Sequence, residues 1–230
     1  NGSIATNTWI KMSQNGKTDW YYATANGSLR TDGWLKIGEN YYYFDSNGIM
    51  QTGWVQEDRY YCEPGSGKMV TGWKLLSAPE GVSVGEARKS NNNMYWFYFN
   101  QSTGEKLYAK DERVVVKSID NASYGFDENG IMVTGWAETA DASPEIAGYS
   151  YFAEKTQGNW KMGQRVSGTW YATVGPEGDS SSLSTGNVEW FYFKNNGHPA
   201  AGSGKVYEVQ RIGDKRYLFN AKGNPVYGIQ

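Results

Sequence analysis

The sequence predicts an all-β chain built as a row of stacked β-hairpin repeats, several of them with long insertions at the hairpin tips. Three observations predict this. A Gly-Trp pair recurs, with Trp34 and Trp54 separated by 20 residues and Trp54 and Trp73 by 19. An aromatic run follows each of these pairs. A turn glycine then follows most of the runs. Self-similarity at a short fixed period marks a repeat architecture, and aromatic clusters bounded by Gly and Asn turns form strands rather than helices.

Composition narrows the function classes. The chain has 230 residues, 16% of them aromatic, with 10 Trp, 18 Tyr and 29 Gly, yet its mean hydropathy is -0.68. Rings without a matching stock of aliphatic residues are displayed at partly wet surfaces, because Tyr and Trp carry a polar handle. Net charge is -2 and no basic patch stands out, which argues against a nucleic-acid partner. No apolar run is long enough for a membrane span, which needs about 18 residues. The chain starts at Asn1-Gly2-Ser3, without Met or a signal peptide, which reads as a processed or excised fragment. One cysteine, Cys62, and one histidine, His198, leave no disulfide framework, no metal site and no His-based triad. Cys62 is expected at the position equivalent to Tyr43 as a small buried hydrophobe. His198 follows Asn196-Gly197 and is expected to be solvated.

The template repeat is 33–52. Gly33-Trp34 opens it, Tyr41-Tyr42-Tyr43-Phe44 fills the middle, Asn47-Gly48 turns, and Met50 and Thr52 lead to the next Gly53-Trp54. Equivalent aromatic runs stand at Trp20-Tyr21-Tyr22, Tyr60-Tyr61, Trp96-Phe97-Tyr98-Phe99, Tyr149-Ser150-Tyr151-Phe152, Trp190-Phe191-Tyr192-Phe193 and Tyr217-Leu218-Phe219. The count is about eight units. Each is read as a hairpin whose first strand carries Gly-Trp and whose second carries the aromatic run. A lone hairpin is marginal in water, so neighbours must stack to bury the shared rings. Alternation along a strand sends Tyr42 and Phe44 into the stack and leaves Tyr41 facing outward.

The whole chain, 1–230, is read as a single array. It is regular over about 8–73, irregular over about 74–206 and closed by a capping repeat over about 207–230. Insertions at 77–93, 138–148 and 172–188 are polar and rich in Gly, Ser, Pro and Glu, as expected of solvated hairpin tips. The unit at 111–127 is degraded, with Val115 or Val116 where Trp would fall. The last unit lacks Trp, as a cap should.

These motifs resemble the choline-binding, or cell-wall-binding, repeats of Gram-positive surface proteins, which are related to the repeats of glucan-binding enzymes and clostridial toxins. The matching pattern is Gly-Trp, an aromatic triplet, Asn-Gly-x-Met and Thr-Gly-Trp, and it runs unbroken from Gly33 to Trp73. The resemblance implies a left-handed β-hairpin solenoid with ligand boxes between consecutive hairpins. Carried onto this sequence, one box would use Trp34, Tyr41, Met50 and Trp54. The next would use Trp54, Tyr60, Met69 and Trp73, and an earlier one Trp9, Trp20, Leu29 and Trp34. Trp96 follows a long insertion. Trp136 with Tyr149, and Trp170 with Trp190, would form irregular later sites.

The chemistry agrees with that resemblance. A quaternary ammonium donates no hydrogen bond and must be held by ring faces, each contributing roughly 0.5–2 kcal/mol. Several weak sites on one array gain from effective concentration on a polymer. Every named ring has an alternative reading as packing, and the three Met residues, Met50, Met69 and Met132, suit packing as well as contact. Carbohydrate is the competing ligand, because sugar rings also stack on Trp and Tyr, with Gln56, Asp58, Arg59, Glu39 and Asn40 available at the edges. A structural stalk with decayed boxes is the third reading. No catalytic motif is present, and acid pairs such as Asp111-Glu112 and Asp127-Glu128 lie at turns. The sequence therefore points to a secreted, non-catalytic module at a Gram-positive cell wall. It needs no cofactor, and its partner is choline or phosphocholine on teichoic acid, or a cell-wall or host glycan.

Overall fold

The computed structural model describes residues 2–84, 92–110, 113–139, 146–176 and 187–226. Among them the chain forms eight two-stranded antiparallel sheets, each joining strands consecutive in sequence. The only helical turn among these residues is a 3-10 segment, Ile146–Gly148. The sequence expectation of an all-β row of about eight hairpins is met. The central residues of the three insertions, and the Asp111-Glu112 pair, lie outside the described residues.

The chain divides into two compact units, Asn1–Lys74 with Phe97–Leu107, and Leu75–Trp96 with Tyr108–Gln230. The first holds the hairpins β1 (Thr8–Gln14) with β2 (Lys17–Ala23), β3 (Gly33–Ile37) with β4 (Asn40–Phe44), and β5 (Gly53–Val55) with β6 (Tyr60–Cys62). The hairpin of β7 (Gly72–Ser77) and β8 (Met94–Phe99) contributes residues to both units. The second unit holds β9 (Val114–Ile119) with β10 (Ala122–Asp127), β11 (Gly135–Glu138) with β12 (Tyr149–Phe152), β13 (Thr169–Val174) with β14 (Val188–Phe193), and β15 (Glu208–Ile212) with β16 (Lys215–Phe219).

One register recurs. Trp34 lies opposite Tyr43, Trp9 opposite Tyr22, Trp54 opposite Tyr61, Trp136 opposite Tyr151 and Trp170 opposite Tyr192. Each of these Trp–Tyr pairs packs edge to face, as ring quadrupoles favour. The residue after this partner, which is a Tyr in most hairpins but Gly125 and Leu218 in two, lies at or next to the end of the second strand and points inward. It is Phe44, Phe99, Phe126, Phe152, Phe193 or Phe219, each fully buried. Burying one such side chain stabilises by about 1.5–3 kcal/mol, so this column is the spine of each unit. Cys62 pairs with Gly53 as Phe44 pairs with Gly33. It therefore belongs to the Phe44 column and not to the Tyr43 position expected from sequence. It is buried, as expected, and burial pushes its thiol up to about 12.

After the spine residue the chain makes a tight turn and returns through a single bridging residue. Met50 bridges Phe44, Met69 bridges Cys62, Lys106 bridges Phe99, Met132 bridges Phe126, Arg165 bridges Phe152, Pro199 bridges Phe193 and Pro225 bridges Phe219. Asp45 shapes its turn by accepting from the backbone N–H groups of Asn47 and Ile49, both at 2.9 Å. Asp127 does the same for Asn129 and Ile131. Short polar side chains that bond their own backbone are what such turns require.

The degraded hairpin has a packing explanation. Val116, opposite Gly125, holds the Trp register, and no ring faces it across the pair. A Cβ at Gly125 would collide with the Phe152 ring of the next hairpin at 2.7 Å. The neighbouring spine phenylalanine thus fills the space that a Tyr fills elsewhere. In the capping hairpin Val209, opposite Leu218, takes the same register and is exposed.

Candidate functional site

A ring-lined cavity lies in the first unit. Trp9 on β1 and Trp20 on β2 come from one hairpin, and Tyr42 on β4 and Met50 from the next. With Gly65 and Ser66 they line an open cavity of about 220 Å3. The ring centroids of Trp9 and Trp20 are 6.4 Å apart at 87°, and those of Trp9 and Tyr42 are 4.9 Å apart at 73°. Three mutually tilted rings and a thioether thus form a box, and none of its six lining residues carries a charge.

The backbone holds the box together. The Met50 N–H donates to the Trp20 carbonyl at 2.7 Å, tying the second hairpin to the first. The Met50 side chain lies over Gly67, where an added Cβ would collide with the thioether; Gly67 also has φ +71°. Trp20 is 36% exposed, so the box opens to solvent at its outer ring. The Lys11 ammonium lies 5.6 Å from the Trp20 centroid, across the strand pair.

The same arrangement recurs one hairpin on. Trp34 packs edge to face with Tyr60 of the following hairpin at 5.2 Å, and Tyr41, 41% exposed, is the outer ring. The Met69 N–H donates to the Tyr41 carbonyl at 2.9 Å, and the Met69 thioether lies over Gly104 as Met50 does over Gly67. The Trp34 indole N–H donates to the Gln56 amide oxygen at 2.8 Å. Gln56 opens a turn in which Gln56, Glu57 and Asp58 all have positive φ, at 52°, 55° and 60°. Such conformations cost non-glycine residues energy, and this one places the Gln56 acceptor at the indole.

This geometry corrects the expected grouping. Met50 joins Trp9 and Trp20, not Trp34 and Trp54. Met69 and Tyr60 join Trp34 and Tyr41, not Trp54 and Trp73. Tyr42, expected to be core alone, is buried and also walls the first box. Leu29 bridges Ala23 and is replaced as the floor by Met50. The third ring of each box comes from the second strand of the next hairpin, not from its Gly-Trp.

Trp54 has the same kind of ring neighbours as Trp9, but a different floor and outer residue. Its ring packs against Tyr61, Phe97 and Phe99 at 5.2, 5.0 and 5.9 Å. Lys106 stands where Met50 and Met69 stand, and its ammonium lies 5.0 Å from the Trp54 centroid and 6.0 Å from that of Phe97. Arg59 occupies the outer-ring register. It pairs with Glu105, and its carbonyl accepts from the Lys106 N–H at 2.8 Å. Trp73 packs edge-on to Tyr98 at 5.1 Å, and Trp96 is an exposed outer-register ring.

In the second unit Trp136 is packed on Phe191 and Phe193, 5.1 and 5.5 Å away, and its indole N–H donates to the Val174 carbonyl at 2.7 Å. Tyr149 lies at the outer-ring register opposite Glu138. The bridging residue here is Pro199, which has no N–H to give. His198 substitutes, its Nδ1 lying 3.0 Å from the Tyr149 carbonyl. His198 is therefore part-buried and bonded, not solvated as expected. Burial lowers its pKa, opposed by the Tyr149 carbonyl and reinforced by Arg165 and Lys194. Trp170 packs on Tyr217 and Phe219 of the capping hairpin at 5.2 and 5.6 Å, while Trp190, in the outer register, is 55% exposed. Among the described residues there is no group of three or more potential metal ligands and no helix long and apolar enough to cross a membrane.

A row of β-hairpins with neutral ring boxes between neighbours defines a class of repeat protein, and comparisons with known proteins bear out the resemblance drawn from sequence. Residues 30–73 match the family model described as choline-binding repeat. Choline-binding protein F from Streptococcus pneumoniae shares the fold, with a TM-score of 0.58 at 21% identity over 94% of this chain and 56% of that one. So does the modular autolysin LytC from the same organism, with a TM-score of 0.55 at 20% identity over 90% of this chain and 36% of that one. The chain thus spans little more than a third of the autolysin and just over half of choline-binding protein F. A comparison with curated protein sequences finds no match.

Proposed function

We propose that this chain is a non-catalytic cell-wall-binding module, and that the boxes of its first unit hold the trimethylammonium group of choline carried on teichoic acid or a similar polymer. The observation that carries this reading is the uncharged cavity of Trp9, Trp20, Tyr42 and Met50. A quaternary ammonium has a diffuse positive surface and no donor. Three tilted ring faces match it, each contributing about 0.5–2 kcal/mol. A carboxylate in the wall would bind any cation, and none is present among the lining residues. The second box, Trp34, Tyr41, Tyr60 and Met69, adds a similar site, and two weak sites on one polymer reinforce each other. The LytC autolysin was solved in complex with a synthetic peptidoglycan ligand, and choline-binding protein F with a peptidoglycan analogue. Both support a cell-wall setting for this chain, secreted to the surface of a Gram-positive bacterium.

A second reading rests on Trp190. An indole this exposed, on a strand face rather than inside a box, offers a flat platform of the kind a sugar ring stacks on. Direct glycan binding by the second unit is therefore the alternative, with a non-binding stalk as the reading left if both ligands fail. Trp fluorescence titrated with choline, and separately with isomaltose- or lactose-type sugars, separates the three. Saturable quenching by choline that is reduced, with the first-box component weakened, in Trp20→Ala is the expected result. No response to choline at high concentration would sink the choline reading.

A further inference from the structure

We infer that the third box of the first unit is a quaternary-ammonium site already occupied by the chain's own Lys106. The inference rests on the choline reading of the first two boxes for the ligand class, and on the local geometry for the occupant.

The third box has the same frame as the first two. Trp54 stands where Trp9 and Trp34 stand, each opposite its tyrosine in the same register. Phe97 is the second-strand ring of the next hairpin, 5.0 Å from Trp54 at 71°, as Tyr42 is to Trp9 at 4.9 Å and 73°. Lys106 is the bridging residue, two positions after the turn glycine Gly104, as Met50 follows Gly48 and Met69 follows Gly67. Two of the rings that would grip a ligand are therefore in place.

Lys106 differs from the lysines beside the other boxes. Lys11 and Lys36 face the outer rings Trp20 and Tyr41 from exposed strand positions. Lys106 is only 7% exposed, and its ammonium lies over both inner rings of its box. A cation enclosed by ring faces satisfies the site electrostatically, and it occupies the volume that a trimethylammonium would need. The outer ring is also replaced. Arg59 takes that register and is neutralised by its ion pair with Glu105, beside Lys106, so the mouth lacks a ring but carries no net charge from this pair. A cation at the bridging position does not suffice alone. Arg165 holds the equivalent place in the second unit, but the Trp register there is Val116 and the outer register is Ser123, whose carbonyl accepts from the Arg165 N–H.

Lys106 thereby sets the valency of the first unit, and its removal should uncover a latent site. The test is the stoichiometry of choline binding to the full chain by calorimetry, for the wild type and for Lys106→Met, which restores the residue of the first two boxes. The account expects one additional site per chain in Lys106→Met, lost again in the double variant Lys106→Met/Trp54→Ala. Equal stoichiometry in a Lys106→Met protein with native circular dichroism would overturn it. A second measurement needs no substitution and no ligand. In the NMR spectrum of the wild type, ring currents should move the Lys106 side-chain methylene protons well upfield of those of the other lysines. Methylene shifts at solvent-exposed values would overturn the assignment whatever the calorimetry gives. A wild type that binds no choline while its Lys106 protons are shifted upfield would refute the choline reading and support the resident cation.

Discussion

The backbone N–H of Met50 reaches back one hairpin to donate to the carbonyl of Trp20 at 2.7 Å. That bond fixes which repeat supplies the floor of which box. It recurs as Met69 to Tyr41, Lys106 to Arg59, Met132 to Trp96 and Arg165 to Ser123. Each box therefore draws its Trp and outer ring from one hairpin, and its third ring and floor from the next.

The outer ring should be separable from the fold. Trp20 is part of the cavity wall but stands at its solvent edge. Trp20→Ala should weaken choline binding at the first box by about 3- to 30-fold, which corresponds to the roughly 0.5–2 kcal/mol of one cation–π contact. Its melting temperature should stay within about 3 °C of wild type, since surface changes usually cost within about 0.5 kcal/mol. Calorimetric titration and thermal melts check both halves. A large loss of stability would mean that Trp20 is a packing residue.

The turn glycine should matter to the floor. A side chain at Gly67 meets both a left-handed backbone, φ +71°, and the Met50 thioether. Gly67→Ala should destabilise by about 1 kcal/mol or more, since Ala at a positive φ is strained, and it should weaken binding at the first box by displacing Met50. Denaturant unfolding measures the first effect and choline titration the second. A neutral substitution on both counts would mean that Met50 relaxes freely.

The spine should dominate stability. Phe44→Ala removes a fully buried ring and should cost about 3–5 kcal/mol, read as a lower denaturant midpoint. In the same column the Cys62 thiol, buried and held at about 12, should resist alkylation in the native protein and react on unfolding, because the thiolate is the nucleophile. Rapid labelling of native protein would show the column to be open.

His198 should make the second unit acid-sensitive. Its folded pKa lies below the ordinary 6.5, chiefly through burial. Between the folded and unfolded values the unfolded chain binds more protons, so stability is full above about 6.5 and falls as pH drops below it. His198→Asn does not titrate, and its amide can serve the Tyr149 carbonyl. Melting temperature followed from pH 7.5 to 5 should fall less in this variant than in the wild type. Equal slopes would remove His198 as the cause.

Much of the fold was legible in the sequence because it is written locally. Gly-Trp, the aromatic run and the turn glycine each act within one hairpin, and strand alternation placed Phe44 inside and Tyr41 outside. Box membership was not legible in the same way, because it depends on the offset between neighbouring hairpins, which no single repeat encodes. The template therefore assigned Met50 to Trp34, whereas its side chain lines the cavity of Trp9 and Trp20. One signal was read only in part, for its hydrophobic members Leu29, Met50, Met69 and Met132. The residue two positions after each turn glycine runs Leu29, Met50, Met69, Lys106, Met132, Arg165, Pro199 and Pro225. That series marks which floors are thioethers and which are cations or prolines. His198 was misread for a related reason: Pro199 removes an N–H, and the adjacent imidazole takes over its bond to Tyr149.

The central claim is that the neutral ring box of Trp9, Trp20, Tyr42 and Met50 holds a trimethylammonium group. Intermolecular nuclear Overhauser contacts between choline methyl protons and the assigned protein test it most directly. The account expects contacts to the rings of Trp9, Trp20 and Tyr42 and to the Met50 methyl, and none to Trp54. Contacts to Trp54 in the wild type, or saturating choline with no contacts to the first box, would contradict it.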